Sequence, residues 1–287
     1  MRPIKVKTIQ RILLYVILYG GAAICIVPFY WLVRSSLMDM NQIFEYPLVF
    51  FPDPFKWDNY IEALTALPFG RYFINTFTIV ILSVAGIIVS CSLSAYGLSR
   101  IQWRGREIVF ALIMSSIMLP YFATLIPSFV MWKYLGFVNT YIPLILPSWF
   151  GVGVASVFGG GMFNIFLLRQ FFKSLPKELD EAAFMDGAGH FTIYRKVILP
   201  LSKPALISTG LFTFLNTWND FIGPLIFLNG EQKYTLQLGL RTFIGMYASQ
   251  WHLLMAAATV VVLPVIIIFM FGQRYFVEGI ATTGIKG

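Results

Sequence analysis

Long apolar stretches recur along the chain and are separated by shorter polar segments. A bilayer core about 30 Å thick is crossed by roughly 20 apolar residues in a helix. Six stretches reach that length, and they span residues 12–33, 73–99, 108–132, 141–168, 205–228 and 252–277. Continuous runs of this kind favour helices over the alternating ten-residue strands of a membrane barrel. The pattern therefore predicts an all-α integral membrane protein with six transmembrane helices.

Charged residues lie almost entirely between these stretches, and their signs indicate an orientation. If the N-terminus is cytoplasmic, 15 of the 21 Lys and Arg residues fall on the inner side, as the positive-inside rule requires. We therefore expect both termini in the cytoplasm, with residues 1–11 and 278–287 outside a transmembrane domain at 12–277. The first stretch exceeds the 7–15 residues of a signal-peptide core, so it is interpreted as an uncleaved helix.

Composition supports a membrane protein and excludes several soluble classes. The chain is 58% hydrophobic and 12% charged, whereas soluble domains are about 25% charged. Its net charge of +8 comes with no clustered basic face, so nucleic acid is not an expected partner. Cys25 and Cys91 lie in apolar runs and are predicted to be buried, reduced and unbridged. Within segment 35–71, turns, an aromatic belt and a short interfacial helix at 59–67 are expected.

The segment 169–204 is the one long polar segment on the predicted inner side. Pro176 and the acidic residues after it predict a short helix, which Gly187 and Gly189 would end. A second short helix is predicted at 191–199, ending at Pro200. Such a knob, apolar with acidic flanks, suits docking into a partner's cleft. Its candidate coupling residues are Glu178, Glu181, Ala182, Ala183, Phe184, Met185, Asp186 and Gly187.

Three motifs carry a family resemblance. Residues 181–200 follow the spacing E-A-A-x3-G-x9-I-x-L-P, with Val197 in place of isoleucine. This run resembles the coupling loop of ABC importer permeases. The run Thr217-Trp218-Asn219-Asp220-Phe221 and the tail from Gln273 to Gly287 resemble segments of the MalG-like permeases that import sugars. The chain is thus identified as similar to that family over essentially its whole length.

The resemblance implies a fold and a set of partners. The fold would be the MetI/MalG-like permease fold with cytoplasmic coupling helices, in the inner membrane of a bacterial cell. The partners would be a second permease subunit, forming a heterodimer, two ATPase subunits, and an extracytoplasmic solute-binding protein that delivers a carbohydrate, in particular an oligosaccharide. The sequence lacks the phosphate-binding G-x-x-x-x-G-K-[ST] motif. We therefore expect no cofactor and no catalysis in this chain, with ATP and Mg²⁺ bound by the ATPase subunits.

Asp220 is the one charge in the middle of a predicted span, since Arg274 lies near the end of the last one, and this makes it a candidate functional residue. Thr209, Thr213, Asn216 and Asp220 recur at helical spacing and predict a polar face. Two interpretations stay open: these side chains contact a polar cargo, or they tie neighbouring helices together. Asn164 follows the glycine run 159–161, where a hinge is one interpretation and ordinary curvature another. The candidate substrate-path residues are Thr213, Asn216, Trp218, Asn219, Asp220 and Asn164.

Two other classes of membrane protein would place different demands on this sequence. An ion-gradient-driven secondary transporter would work as a single chain, with Asp220 as its proton site. An intramembrane enzyme would need a Ser/His, Asp/Asp or metal constellation across the spans, and the sequence offers none. His190 and His252 are isolated, so no metal-ligand role is assigned to them.

Overall fold

A computed structural model describes residues 8–150, 161–244 and 250–284, and within these ranges the chain is helical with no strand. The tail motif beyond residue 284, part of the N-terminal segment and Gly159 and Gly160 lie outside the described residues. The helices are α1 (Thr8–Ser36), α2 (Met40–Ile43), α3 (Asp58–Thr65), α4 (Phe69–Ser99), α5 (Arg106–Ser116), α6 (Tyr121–Tyr134), α7 (Ile142–Trp149), α8 (Gly161–Ser174), α9 (Glu178–Met185), α10 (His190–Ile193), a π-helical turn (Tyr194–Ile198), α11 (Leu199–Leu201), α12 (Lys203–Trp218), α13 (Ile222–Phe227), a 3-10 turn (Glu231–Lys233), α14 (Leu236–Thr242) and α15 (Trp251–Gly284).

The described residues group into two compact units. The first draws on Met1–Leu67 and Leu240–Leu263, and the second on Pro68–Gly239 and Pro264–Gly287. Within the first unit, the short helix predicted at 59–67 is confirmed as α3, and its place at the membrane interface stays a prediction. Its buried Asn59 donates hydrogen bonds to the carbonyl oxygens of Ser36 and Met38, at 2.9 and 2.8 Å. These bonds satisfy backbone acceptors just beyond the end of α1 and hold the following loop against α3.

The second unit is built around α4, which packs against α7, α8 and α12. Residues 69–99 contain no proline, and past Arg71 they contain no charge, so nothing interrupts the helix. Buried positions such as Ile79, Ser83 and Ile87 recur every three or four residues along it. A Cβ on Gly86 would overlap the indole ring of Trp149, whose Nε1 donates to the Leu82 carbonyl at 2.9 Å. The glycine therefore lets α7 approach α4 closely.

Three of the six apolar stretches form single long helices. By length and hydropathy, Gln10–Ser36, Phe69–Ser99 and Trp251–Gln273 are long enough to cross a membrane. Two further pairs of helices, Arg106–Tyr134 and His190–Trp218, pass the same test only as bent pairs, with angles of 97° and 78°. The described residues therefore contain three to five candidate spans, and the count of six remains a prediction.

The expectation of continuous helices at 108–132 and 205–228 was wrong. The first stretch divides into α5 and α6 before Pro120, which has no N–H to donate and keeps the preceding residue out of the helical conformation. The second ends at Trp218 and resumes at Ile222 as α13. Asp220 therefore lies in a break between two helices and not in the middle of one. In the stretch 141–168, residues 151–160 lie outside the described part.

Two smaller expectations are corrected by the side chains. Cys91 is buried as expected, but Cys25 is exposed on α1, and both are free thiols. Arg169 does not begin a loop, because α8 continues to Ser174. The polar segment that follows is accordingly shorter than predicted, and it consists mainly of short helices.

Candidate functional site

The segment after α8 forms what we call the elbow: α9, the glycine turn at 186–189, α10 and the π-helical turn Tyr194–Ile198. The predicted first helix is confirmed as Glu178–Met185, with Glu178, Asp180 and Glu181 in its first turn. Acidic side chains at this end stabilise the helix because they face the positive end of its dipole. The elbow therefore begins where the sequence pattern predicts.

The turn of the elbow is closed by backbone hydrogen bonds. The Gly187 N–H donates to the Phe184 carbonyl at 2.9 Å, and the Ala188 N–H donates to the Ala183 carbonyl at 2.9 Å. These two bonds define a Schellman motif, which requires a left-handed residue after the helix. Gly187 has φ +79°, a conformation that glycine adopts without strain. The expected helix end at Gly187 is confirmed, and it fixes the angle at which the chain leaves α9.

One side of α9 faces away from the rest of the protein. No residue of α9 is buried, Met185 is 89% exposed and Phe184 is 45% exposed. Of the eight predicted coupling residues, only Ala183 is partly covered, and it packs against the core. The other seven are Glu178, Glu181, Ala182, Phe184, Met185, Asp186 and Gly187, and they form an exposed surface that is apolar at its centre and acidic at its edges.

The opposite side of the elbow is anchored on α4. Ile193 and Ile198 are fully buried in a core cluster that includes Ile87 and Ala95 of α4. The Tyr194 hydroxyl lies 2.7 Å from the Ser92 hydroxyl, and its ring is tilted against that of Tyr96 at 5.3 Å. The exposed surface is thus carried on a packed base and does not project as a free loop.

The second predicted helix, 191–199, is longer than expected and contains an irregularity. Helical structure runs from His190 to Leu201, through the π-helical turn Tyr194–Ile198. The Leu199 N–H bonds to the Tyr194 carbonyl, five residues back. Pro200 does not stop the helix, since it lies at the first turn of α11, where a missing N–H is tolerated. The sharp bend of 78° occurs only afterwards, before Lys203.

Arg100 is the residue that caps the end of α4. In the sequence it is one of the positive charges on the predicted inner side, and no motif distinguishes it from the others. Its guanidinium donates to the carbonyl oxygens of Phe172 and Leu175, at 2.6 and 2.8 Å, and lies 3.1 Å from Asp180 Oδ2. Periodicity gives no signal for such a contact, because the partners lie more than 70 positions further along the chain. Arg100 thus joins the ends of α4, α8 and α9.

A second arginine fastens α8 to the start of α5. Arg169 is buried, and its Nη2 lies 2.7 Å from both carboxylate oxygens of Glu107. Its Nε donates to the Leu98 carbonyl at 3.0 Å, and its guanidinium stacks over the Phe110 ring at 3.7 Å. Charge-assisted bonds of this kind are stronger than neutral ones. The helix ends beneath the elbow are therefore held together by two arginines.

The break at Asp220 is a second candidate site. Asp220 Oδ1 accepts a hydrogen bond from the Gly223 N–H at 3.1 Å, so the carboxylate caps α13. The Leu215 carbonyl at the end of α12 accepts both the backbone N–H of Asn219, at 3.2 Å, and its side-chain Nδ2, at 2.8 Å. Side chains that bond nearby backbone in this way compete with a continuous helix. This competition explains why an apolar stretch of 24 residues (205–228) is interrupted here.

Two small cavities adjoin Asp220. One has a volume of about 10 Å³ and is bordered by the hydroxyl residues Thr76, Thr217 and Thr235. The hydroxyls of Thr217 and Thr235 are buried without a hydrogen-bond partner among the described residues. The other cavity has a volume of about 70 Å³ and is lined by Tyr121, Thr124, Leu125, Ser128, Pro143, Leu144, Pro147, Asp220, Gly223 and Phe227. Asp220 therefore borders two cavities whose hydroxyl groups come from α4, α6, α12 and the loop before α14.

The remaining predicted path residues do not converge on these cavities. Asn164 is fully buried, and its Nδ2 lies 3.4 Å from Thr213 Oγ1, which links α8 to α12. Asn216 donates to the Phe212 carbonyl of its own helix at 2.7 Å. Trp218 is buried against the rings of Phe77 and Phe214. Of the predicted set, Asp220 lines both cavities, while Asn164 and Thr213 make a helix-to-helix contact.

Within the described residues, no group of three or more His, Cys, Asp or Glu side chains is placed to hold a metal ion. The polar features are instead an exposed elbow and hydroxyl groups around one carboxylate. Together with several helices long enough to cross a bilayer, they define a class: a helical membrane protein with an exposed, partly apolar elbow and an internal polar region.

The family follows from comparison with known proteins. Residues 83–282 match the model of the family described as binding-protein-dependent transport system inner membrane component. The match covers more than half of the chain, and the protein belongs to this family. The matched segment includes both the elbow and the break at Asp220.

Individual relatives align over most of their lengths. The chain is 33% identical to a probable ABC transporter permease protein, YurM, of Bacillus subtilis, over 91% of the chain and 83% of the relative. It is 32% identical to the trehalose/maltose transport system permease protein MalG of Thermococcus litoralis, over 98% of the chain and 99% of the relative. A crystal structure of a bacterial ABC transporter involved in import of the acidic polysaccharide alginate superposes with TM-score 0.81 at 25% identity, covering 96% of the chain and 100% of that chain.

Proposed function

We propose that this protein is the transmembrane permease subunit of an ATP-binding-cassette importer for a carbohydrate, with six spans and both termini in the cytoplasm. Family membership supports the transport role, and relatives named for arabinooligosaccharides and for trehalose and maltose support the cargo class. The six spans would be α1, α4, the bent pair α5–α6, α7 with α8, α12 with α13, and α15. The complete importer would also contain a second permease subunit, two ATPase subunits and a binding protein.

The elbow is the proposed contact with an ATPase subunit, and its geometry is the observation that carries the proposal. An exposed apolar centre with acidic edges, standing on a buried base, has the character of a protein-docking surface. ATP binding and hydrolysis by the partner would displace the elbow as a rigid body. The permease itself would undergo no chemistry and would need no cofactor.

The hydroxyl groups around Asp220 are the proposed polar contacts for the cargo. Hydroxyls and a carboxylate suit sugar hydroxyls, since each can pair with a donor or an acceptor. The cavity of about 70 Å³ beside Asp220 has room for only a few waters, so a sugar would enter after the helices part. No Lys or Arg is among the residues that line either cavity. This favours a neutral carbohydrate over an acidic one.

Reconstitution tests the proposal directly. The chain is expressed with the companion permease, the ATPase and the binding protein that we expect the neighbouring genes to encode, and the complex is purified. We expect ATPase subunits to co-purify with it and MgATP to be hydrolysed in lipid vesicles. Purified chain that transports alone under a proton or sodium gradient would overturn the proposal in favour of a secondary transporter.

The cargo is tested on the binding protein. Its melting temperature is measured with neutral oligosaccharides, monosaccharides, polyols and acidic oligosaccharides, and the sugar that raises it most is then offered to the vesicles. We expect a neutral oligosaccharide to be selected and imported only with MgATP. Selection of an acidic oligosaccharide would contradict the interpretation of the Asp220 cavities and leave the importer assignment standing.

A further inference from the structure

Three helix ends meet at the side chain of Arg100. Arg100 is the C-cap residue of α4. Its Nη2 donates to the Phe172 and Leu175 carbonyls at the end of α8, and its Nη1 lies 3.1 Å from Asp180 in the first turn of α9. The side chain of Arg100 is 4% exposed and that of Asp180 is 14% exposed. An ion pair so shielded from water is far less screened than a surface pair. Removing either partner would leave the other charge shielded and uncompensated, so the pair favours keeping these helix ends together.

The chemistry of arginine suits this position. The last carbonyls of a helix lack the N–H four residues further on, and at the end of α8 only a 3.3 Å bond from the Leu175 N–H reaches the Phe172 carbonyl from the backbone. A cation there also faces the negative end of the helix dipole. The planar guanidinium presents five donors in a fixed fork, so that one side chain bonds the Phe172 and Leu175 carbonyls and the Asp180 carboxylate together. Lysine carries the same charge without that fork.

The elbow is held to α4 on its other side as well. Tyr194, at the start of the π-helical turn, lies 2.7 Å from Ser92 and packs against Tyr96. With Arg100 on the α9 side and Tyr194 on the α10 side, the elbow has two attachments to the same helix. Since α4 also packs against α7, α8 and α12, a displacement of α4 reaches much of the second unit.

We propose that Arg100 is a positioning residue that locks the elbow to α4, so that a displacement of the elbow by its ATPase partner moves α4 with it. The proposal rests on the proposed function for its role in transport. The link itself is a property of this chain. Arg100 touches neither cargo nor nucleotide and acts through Asp180 and the end of α8.

The link is tested by measuring distances between spin labels in the full-length chain, in lipid nanodiscs, alone and within the complete importer. The labels are attached to cysteines that replace the exposed residues Gln102 and Thr192. The exposed Cys25 is first changed to serine, whereas Cys91 is 1% exposed and stays unlabelled. In the parent we expect one narrow distance distribution, and in Arg100→Gln a distribution at least twice as wide. Arg104→Gln removes an equal charge from an exposed position and is expected to leave the distribution narrow.

Transmission is tested with a second pair of labels, at exposed Ile74 and Tyr134, in the complete importer. Adding a non-hydrolysable ATP analogue is expected to shift this distance in the parent, and Arg100→Gln is expected to lose at least half of the shift. Arg100→Lys should restore part of it. A residue that only stabilised the fold would lower the melting temperature and leave both the width and the shift unchanged.

Substitution of Asp180 tests the same contact from its other side. It also keeps the test possible if Arg100→Gln fails to insert into the membrane. Asp180→Asn keeps the bonds to α8 and is expected to widen the distribution by less than Arg100→Gln does. The double variant should equal Arg100→Gln, because both residues act in one contact. A narrow distribution in both single variants overturns the link. If no ATPase subunit binds the parent, the proposed function fails, while the distances in the isolated chain still decide the link.

Discussion

The elbow and the break at Asp220 both interrupt helices, but they do so by different means and with different results. At the elbow a glycine in the left-handed region lets backbone groups satisfy one another, and most side chains of α9 are exposed. At the break the Asp220 carboxylate accepts a bond from the first turn of α13, and two threonine hydroxyls nearby are left without a protein partner among the described residues.

The difference indicates which kind of molecule each site is suited to bind. A surface whose backbone groups are already hydrogen-bonded within the protein keeps a fixed shape, and a preorganised shape lowers the cost of binding a folded partner. A buried region with spare hydroxyls attracts water or a polar solute, because unpaired buried groups are costly. The elbow is therefore suited to a protein partner and the break to a small polar cargo.

The largest effect is expected from a charge on the exposed face of the elbow. Met185→Glu should reduce co-purification of ATPase subunits at least tenfold, because it places a carboxylate in the apolar centre of the docking surface. The permease should still insert with an unchanged melting temperature, since Met185 is 89% exposed. Arg104→Gln changes the net charge by the same amount and should leave co-purification intact. Equal ATPase binding by the parent and Met185→Glu would rule out this face as the contact.

A smaller but clear effect is expected at the break. Asp220→Asn keeps an oxygen that can cap α13 while it removes the charge, so the fold should persist and import should fall about tenfold. Asp220→Leu also removes the cap, and an N-cap of this kind is worth about 1 kcal/mol. Import of the selected sugar and the melting temperature are measured for both. Full import by Asp220→Asn would mean that the residue only ties helices together.

A moderate effect is expected at the glycine turn. Gly187→Val forces a β-branched residue into φ +79°, which costs about 1 to 2 kcal/mol and distorts the elbow. We expect import per ATP hydrolysed to fall several-fold while the chain still inserts. Gly189 has φ −78° and open space at its Cβ position, so Gly189→Ala is a matched control with no expected loss. If both variants couple normally, the angle of the turn does not matter to transport.

The smallest effect is expected at Thr213. Thr213→Val keeps the shape and removes the hydroxyl that faces Asn164 across α8 and α12. Polar contacts between membrane helices average about 0.6 kcal/mol, so the melting temperature should fall only slightly. Import should be unchanged, which a transport assay at low sugar concentration can verify. A large loss of import without a loss of stability would return Thr213 to the substrate path.

Much of the elbow was predictable because its determinants are local. Proline at its start, acids in its first turn and glycine at its end are separated by a few residues, and short-range rules cover them. The break at Asp220 was missed for the opposite reason. Hydropathy averages over a window, so a stretch with one charge still counts as a span. A helix-ending signal was nevertheless present in the adjacent Asn219 and Asp220, whose side chains bond backbone readily.

The pattern of hydrophobic and polar positions does not predict contacts between residues that lie far apart in the sequence. Arg100 and Asp180 are far apart in sequence, and each looks like an ordinary solvated charge beside a membrane. Likewise, Thr235 lies in a short loop, where nothing marks it as a neighbour of Asp220. Only the packing of α4 against α8 and α12 brings such residues together.

The close approach of α7 to α4 constrains how this protein can diverge. Because the Trp149 indole occupies the space beside Gly86 and bonds the Leu82 carbonyl, a side chain at position 86 requires a smaller residue at position 149. The two positions should therefore vary as a pair among related permeases: wherever alanine or serine replaces the glycine, the tryptophan should be absent.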